Sequence, residues 1–159
     1  ERWSMDFVSD TFASGRTFRT LNIVDDCSRE CVAILVDTSI TGERVARLLD
    51  ALAQTRGLPA GIVTDNGPEF AGTTLDAWAY RRKIQLHFIR PGKPVDNAFV
   101  ESFNGKFRDE CLNEHWFRDL TDARATIETW RDDYNRVRPH SSLGNRTPTE
   151  FATSLGLTE

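Results

Sequence analysis

The sequence predicts an α/β fold, a mixed β-sheet layered with helices, and three observations carry the prediction. Residues 3–38 form a run of bulky and β-branched side chains interrupted only by short turn-forming stretches. After Thr41 the apolar pattern switches to helix–strand–helix–strand–helix. No repeat, low-complexity tract or Pro/Gly/Ser linker divides the 159 residues, so the chain is expected to form one domain.

The elements follow in order. "WSMDFVSDTF" alternates bulky with small or polar residues, and "ASGR" supplies a turn. "TFRTLNIVDD", a break at Cys27-Ser28 and "RECVAILVDT" complete an antiparallel meander of three strands. Thr41 reads as a helix N-cap, with Val45, Leu48, Leu49, Leu52 and Ala53 on one helical face; Gly57 and Pro59 end that helix. "GIVTD" is a short apolar strand closing at Asp65, and Asn66-Gly67-Pro68 is turn chemistry. A helix over about 72–82 turns Leu75, Trp78 and Ala79 inward, and "IQLHFI" is the fifth strand. From Asp96 to about Cys111 the period is helical, with Val100, Phe103, Phe107 and Cys111 as the apolar stripe. A last helix capped at Thr121 carries Ala123, Ile127, Trp130 and Tyr134 on one face, and the chain from Arg138 onward reads as turns. Trp3, Trp78, Trp116 and Trp130 are expected in the core or at an interface.

Composition excludes several classes. Hydrophobic residues at 39% and 10 glycines put the chain in the globular range rather than among disordered sequences. No apolar run approaches the roughly 18–20 residues of a membrane span, and "ERWSMDFVSD" is not a signal peptide. Position 1 is not Met, as in a piece excised from a longer protein. Three cysteines, Cys27, Cys31 and Cys111, fit a reducing, cytosolic setting better than a disulfide scaffold. With no histidine within thirty residues of Cys27 or Cys31, a zinc site there is not supported. The formal net charge of −4 argues against coating nucleic acid through global charge, but leaves room for a local basic surface.

Three carboxylates stand where metal chemistry would need them. Asp6 is mid-strand between Met5 and Phe7, where a charge is rare unless it faces a site. Asp65 closes a strand, a common ligand position in α/β sheets. Glu101 lies on a helix whose Asn97, Glu101, Asn104 and Arg108 recur on one polar face. Oxygen ligands of this kind suit a hard divalent cation such as Mg²⁺ or Mn²⁺. Each residue also has a plainer reading: edge-strand charge, turn residue, solvated helix charge.

Fifty-eight residues separate Asp6 from Asp65, and thirty-five separate Asp65 from Glu101. With "MDF", "TDNGPEF", "DNAFVESFNGKFRDE" and the tail "YNRVRPHSSLGNRTPTEF", this pattern resembles the Asp-Asp-Glu catalytic core of retroviral integrases and bacterial insertion-sequence transposases. The resemblance takes in residues 1–151, tail included, and leaves 152–159 as a terminal extension. It implies a ribonuclease-H-like fold with a five-stranded mixed sheet. It implies a DNA polynucleotidyl transferase that nicks transposon ends and joins their 3′-hydroxyls to DNA. Its cofactors would be two Mg²⁺ ions, replaceable by Mn²⁺, with Asp6 bridging both and Asp65 and Glu101 each completing one. Self-association on paired DNA ends, and a bacterial cytoplasmic, nucleoid-associated location, are also implied. A helix-turn-helix end-recognition segment, which the family carries before the core, is not in this chain. The alternatives are a ribonuclease H or junction-cutting nuclease and a non-catalytic DNA-binding or assembly module.

By the same resemblance Arg108, two helical turns after Glu101, would hold a phosphate of the transposon end, and Lys106 is a weaker candidate less well aligned with that face. The basic stretch 81–95, which includes Arg90 and Lys93, resembles the loop leading into the catalytic helix and is either a DNA contact or a solvated strand end. Asn66 and Gly67 are expected to shape the turn after Asp65, and Asn97 to hydrogen-bond near the site. Arg138-Pro139-His140 is read either as a packing cap or as a phosphate site.

Overall fold

A computed structural model describes residues 2–65, 67, 70, 72–89 and 98–156. Strands β1 (Arg2–Thr11), β2 (Thr17–Asp25) and β3 (Cys31–Asp37) form the expected antiparallel meander. Helix α1 (Gly42–Thr55) leads to β4 (Gly61–Thr64), and α2 (Thr73–Arg82) leads to β5 (Gln85–Phe88). β4 pairs parallel with β1, and β5 parallel with β4, giving one five-stranded sheet in the order β3-β2-β1-β4-β5. Helix α3 (Ala98–Phe107) runs into a π turn (Arg108–Leu112); α4 (Leu120–Arg136), a 3₁₀ turn (Ser141–Leu143) and α5 (Pro148–Ser154) follow.

Strand alternation sorts the core onto two faces. Trp3, Met5, Leu21, Ile23 and Ile62 point to the side covered by α1 and α2, meeting Val45, Leu49, Leu75 and Trp78. Val8, Phe18, Val24 and Val36 point to the other side, meeting Val100, Phe103 and Phe107 of α3 and Ile127 and Tyr134 of α4. Thr41 caps α1 as expected, accepting the Arg44 N–H at 3.2 Å, and Gly57 leaves the helix at φ 80°.

Three expectations need correction. The last long helix is capped by Asp119, which accepts the Asp122 N–H at 2.8 Å, and not by Thr121. Starting there puts Leu120 on the same face as Ala123 and Ile127, against the core. The tail is not all turns, because Thr147 and Glu150 close a capping box with Pro148 in the first turn, and the short helix α5 buries Ala152. The helix expected over 96–111 is α-helical over Ala98–Phe107 and then widens, with Asn113 N–H reaching back to the Arg108 carbonyl at 2.9 Å. Residues 96 and 97 lie outside the described residues. Of the four tryptophans expected in the core or at an interface, Trp116 is the one left 88% exposed, and its neighbour Phe117 takes the buried place, edge-on to Phe18.

Candidate active site

Strand register brings two of the three carboxylates together. β1 and β4 pair from Arg2↔Gly61 to Ser4↔Val63, a constant offset. Continued two residues past the end of the pairing, the same offset would set Asp6 opposite Asp65, whose charge acts on the Asp6 carboxyl. Because side chains alternate along a strand, both share a face with Ser4 and Val63, opposite Met5 and Ile62. That face is covered by α3, which carries Glu101 in its first turn.

Asp6 is half-buried, whereas Asp65 and Glu101 are exposed. One Asp6 oxygen accepts the Phe7 N–H at 2.9 Å, and the other accepts Asn104 Nδ2 at 3.1 Å. Burial raises the Asp6 carboxyl to about 6; the Phe7 N–H opposes this, the nearby Asp65 and Glu101 charges add to it, and the Asn104 amide opposes it. Asp65 accepts the Gly67 N–H at 2.9 Å, which closes the turn after β4 as expected for Gly67.

The donor set is all carboxylate oxygen and carries repulsion that a divalent cation would relieve, so it fits Mg²⁺ or Mn²⁺ in kind. Among the described residues no three Asp, Glu, His or Cys side chains stand close enough to hold an ion as they are placed. Binding would therefore draw the exposed Asp65 and Glu101 side chains toward Asp6.

Four contacts support this arrangement. Asn104 Oδ1 accepts Asn22 Nδ2 at 2.7 Å, and Asn22 Oδ1 accepts the Thr20 hydroxyl at 3.0 Å. The Arg29 guanidinium, from the β2–β3 turn, stacks 3.8 Å over the Phe99 ring, two residues before Glu101. Arg138 forms an ion pair with Glu110 of the π turn. Sequence reasoning placed Asn104 on the polar face without giving it a partner and did not single out Asn22. The missed signal was Asn22 lying between Leu21 and Ile23, the same anomaly that exposed Asp6 between Met5 and Phe7.

Arg108 and Lys106 are both exposed, and neither forms an ion pair or side-chain hydrogen bond among the described residues. Arg90, Lys93, Asn66 and Asn97 lie outside the described residues. The geometry of Arg138-Pro139-His140 favours packing: His140 is buried, its ring sits edge-on to Tyr134 at 4.8 Å, and its backbone pairs with Arg146. Burial, then the charge of Lys106, lowers the His140 pKa below the usual imidazole value.

Known proteins resemble this chain along nearly its whole length. Two family models, both described as "Integrase core domain", match residues 1–94 and 82–148. The chain is 55% identical over 152 residues to the insertion element IS407 uncharacterized 31.7 kDa protein of Burkholderia multivorans, covering 96% of this chain and 55% of that protein. It is 27% identical over 154 residues to transposase InsF for insertion sequence IS3A of Escherichia coli, covering 95% of this chain and 53% of that protein. The chain thus spans about half the length of the curated relatives it matches. Among solved structures, the HTLV-2 integrase catalytic core domain in complex with magnesium superposes with a TM-score of 0.74 at 19% identity, covering 95% of each chain. At that identity the likeness speaks for the fold, which is the expected ribonuclease-H-like one. A five-stranded sheet in this order, two family models that together take in residues 1–148 and an insertion-element relative 55% identical over 152 residues lead to one statement: the chain belongs to the integrase core domain family.

Proposed function

We propose that this domain is the metal-dependent strand-transferase core of its parent protein, cutting at transposon ends and joining their 3′-hydroxyls to target DNA. The observation that supports the reading is that Asp6, on a central strand, feels the charges of Asp65 after its parallel neighbour and of Glu101 on the covering helix, with no cation paired to any of them among the described residues. Residues 1–151 make up that core and 152–159 an extension.

Two Mg²⁺ ions, or Mn²⁺ in their place, would supply Lewis acidity to in-line displacement at phosphorus. Asp6, between the other two carboxylates, would be held in common, with Asp65 and Glu101 each on one side. Asp6 must be ionised for this, and the Phe7 and Asn104 N–H groups hold its carboxylate in a fixed orientation. Arg108 and Lys106 project from the end of the same helix, and with Arg90 and Lys93 they would contact terminal DNA phosphates. Gly67 and Asn66 shape the turn beside Asp65, and Asn97 supports the site. The parent protein would work as a multimer on paired ends in the bacterial cytoplasm, at the nucleoid, with end recognition supplied by a helix-turn-helix segment outside this chain.

The test is strand transfer on a terminal-repeat DNA with Mg²⁺ or Mn²⁺, comparing wild type with Asp6→Asn, Asp65→Asn and Glu101→Gln. Loss in all three with unchanged circular dichroism is expected. Retained joining in any one would overturn the assignment.

A further inference from the structure

We propose that Asn22, with Thr20 behind it, is a positioning residue that fixes which end of the Asn104 amide faces Asp6. The inference rests on the reading of Asp6 as a metal ligand, and its argument is one of hydrogen-bond polarity.

An Asn side chain has two ends of almost equal size, one an acceptor and one a double donor, so only its partners decide which way it lies. Asn104 lies between Asp6 and Asn22. The Asp6 carboxylate, when ionised, can only accept, so the Asn104 NH₂ belongs on that side. Its oxygen must then meet a donor, which Asn22 Nδ2 provides at 2.7 Å. Asn22 in turn needs a donor for its own oxygen, and the Thr20 hydroxyl provides one at 3.0 Å. All three bonds run one way, from Thr20 through Asn22 and Asn104 to Asp6. Reversing Asn104 would set oxygen against carboxylate at one end and NH₂ against NH₂ at the other.

Burial makes the arrangement binding. Asn22 is 0% exposed and Thr20 1%, so solvent does not replace a lost partner at that end of the relay. The relay also crosses elements. Asn22 is the register partner of Asp6 on β2, yet its amide reaches over to α3, tying the sheet to the helix that carries Glu101 three residues before Asn104. A neutral amide orients the carboxylate without adding a positive charge that would compete with a metal cation. Outer partners that orient metal ligands in this way typically change metal affinity by about 10–100-fold when removed.

The experiment uses the whole chain and two readouts. The first is Mn²⁺ affinity by calorimetry for wild type, Asn22→Leu, Thr20→Val, Asn104→Ala and the Asn22→Leu/Asn104→Ala double variant. The second is the ¹⁵N resonance of the Asn104 side-chain amide without metal, with a thermal melt as the fold control. Asn22→Leu should weaken Mn²⁺ binding about tenfold, at the lower end of that range, with the melt preserved. Thr20→Val should weaken it less and serves if Asn22→Leu does not fold. The double variant should bind no more weakly than Asn104→Ala alone, because Asn22 acts through Asn104. The metal-free Asn104 amide signal should move and exchange faster in Asn22→Leu. Wild-type Mn²⁺ affinity in a folded Asn22→Leu, or additive losses in the double variant, would overturn the inference. If the wild-type protein itself binds no Mn²⁺, the functional reading fails separately, and an unmoved Asn104 signal in Asn22→Leu then overturns the relay as well.

Discussion

Two acidic clusters sit in this domain, and they are built oppositely. Around the β2–β3 turn, Asp25, Asp26 and Glu30 are all buried and all compensated. Arg2 donates to Asp26 at 2.8 Å and Ser4 at 2.6 Å; Arg56 reaches Glu30 at 2.9 Å; the N–H groups of Cys27 and Ser28 donate to Asp25. Around Asp6, two of the three carboxylates are exposed, and none has a cationic partner among the described residues. Buried acids with partners shape a turn, whereas carboxylates without one carry a repulsion that the proposed cation would relieve. The missing counter-charge, rather than the presence of carboxylates, marks the site.

The sharpest way to test that contrast is to neutralise one member of each cluster. Asp6→Asn should reduce strand transfer by three orders of magnitude or more, on the order expected when metal-supported displacement is lost, while the fold is retained. Arg56→Ala should do the reverse. It strips Glu30 of its cation and should lower stability by about 2–4 kcal/mol in a urea melt, with activity per folded molecule unchanged.

A subtler difference concerns pH. The Asp6 carboxyl, raised by burial from 3.8 to about 6, prefers the neutral form in the folded state. Its ionisation therefore opposes folding above about pH 6, and the penalty fades as pH falls toward 4. Without divalent metal, Asp6→Asn should be about 1–3 kcal/mol more stable than wild type at pH 7, and that gain should vanish near pH 4. Urea melts at the two pH values check it; a variant less stable at pH 7 would mean that Asp6 is compensated after all. The smallest effect is at the surface. Arg108→Ala should weaken binding to terminal DNA by about 1 kcal/mol without moving the melt, because the side chain is exposed and unpaired among the described residues. Unchanged DNA affinity in a filter-binding titration would remove Arg108 from the DNA-contact set.

The same contrast explains what the sequence allowed a reader to see. The strands of the meander and the first helix were legible because their apolar periods are clean, and Asp6 stood out as a charge within such a period. Asp65 and Glu101 were legible because their separations matched a known spacing. Asn22 carried the Asp6 kind of signal in weaker form, since an uncharged amide in a strand is less conspicuous than a carboxylate. The helix start at Asp119 was missed because Asp119 and Thr121 are both good caps and only the packing of Leu120 decides between them. The helix α5 was missed because Thr147 and Pro148 are helix-start residues that read equally well as turn residues. Trp116 was open between core and interface, and packing decided it: Phe117 beside it takes the core place and Trp116 stays at the surface. The β2–β3 cluster depends on Arg2 and Arg56, far away along the chain, and no local pattern announces such pairs.

The π turn at Arg108–Leu112 gives this part of the chain an unusual sensitivity to insertions. A turn closed from residue i to i+5 holds one residue more than an α turn. Removing a single residue between Phe107 and Asn113 would let the helix close as a regular α-helix with the residues beyond it near their present phase, whereas one more residue inserted after Phe107 would rotate everything beyond it by about 100°. Glu110 would swing away from Arg138, and Cys111 and Leu112 would leave the core they now fill. Substitutions along this stretch act locally, but an insertion would act on the whole C-terminal third. The number of residues between the acidic helix and the tail is therefore itself a heritable structural parameter of this domain.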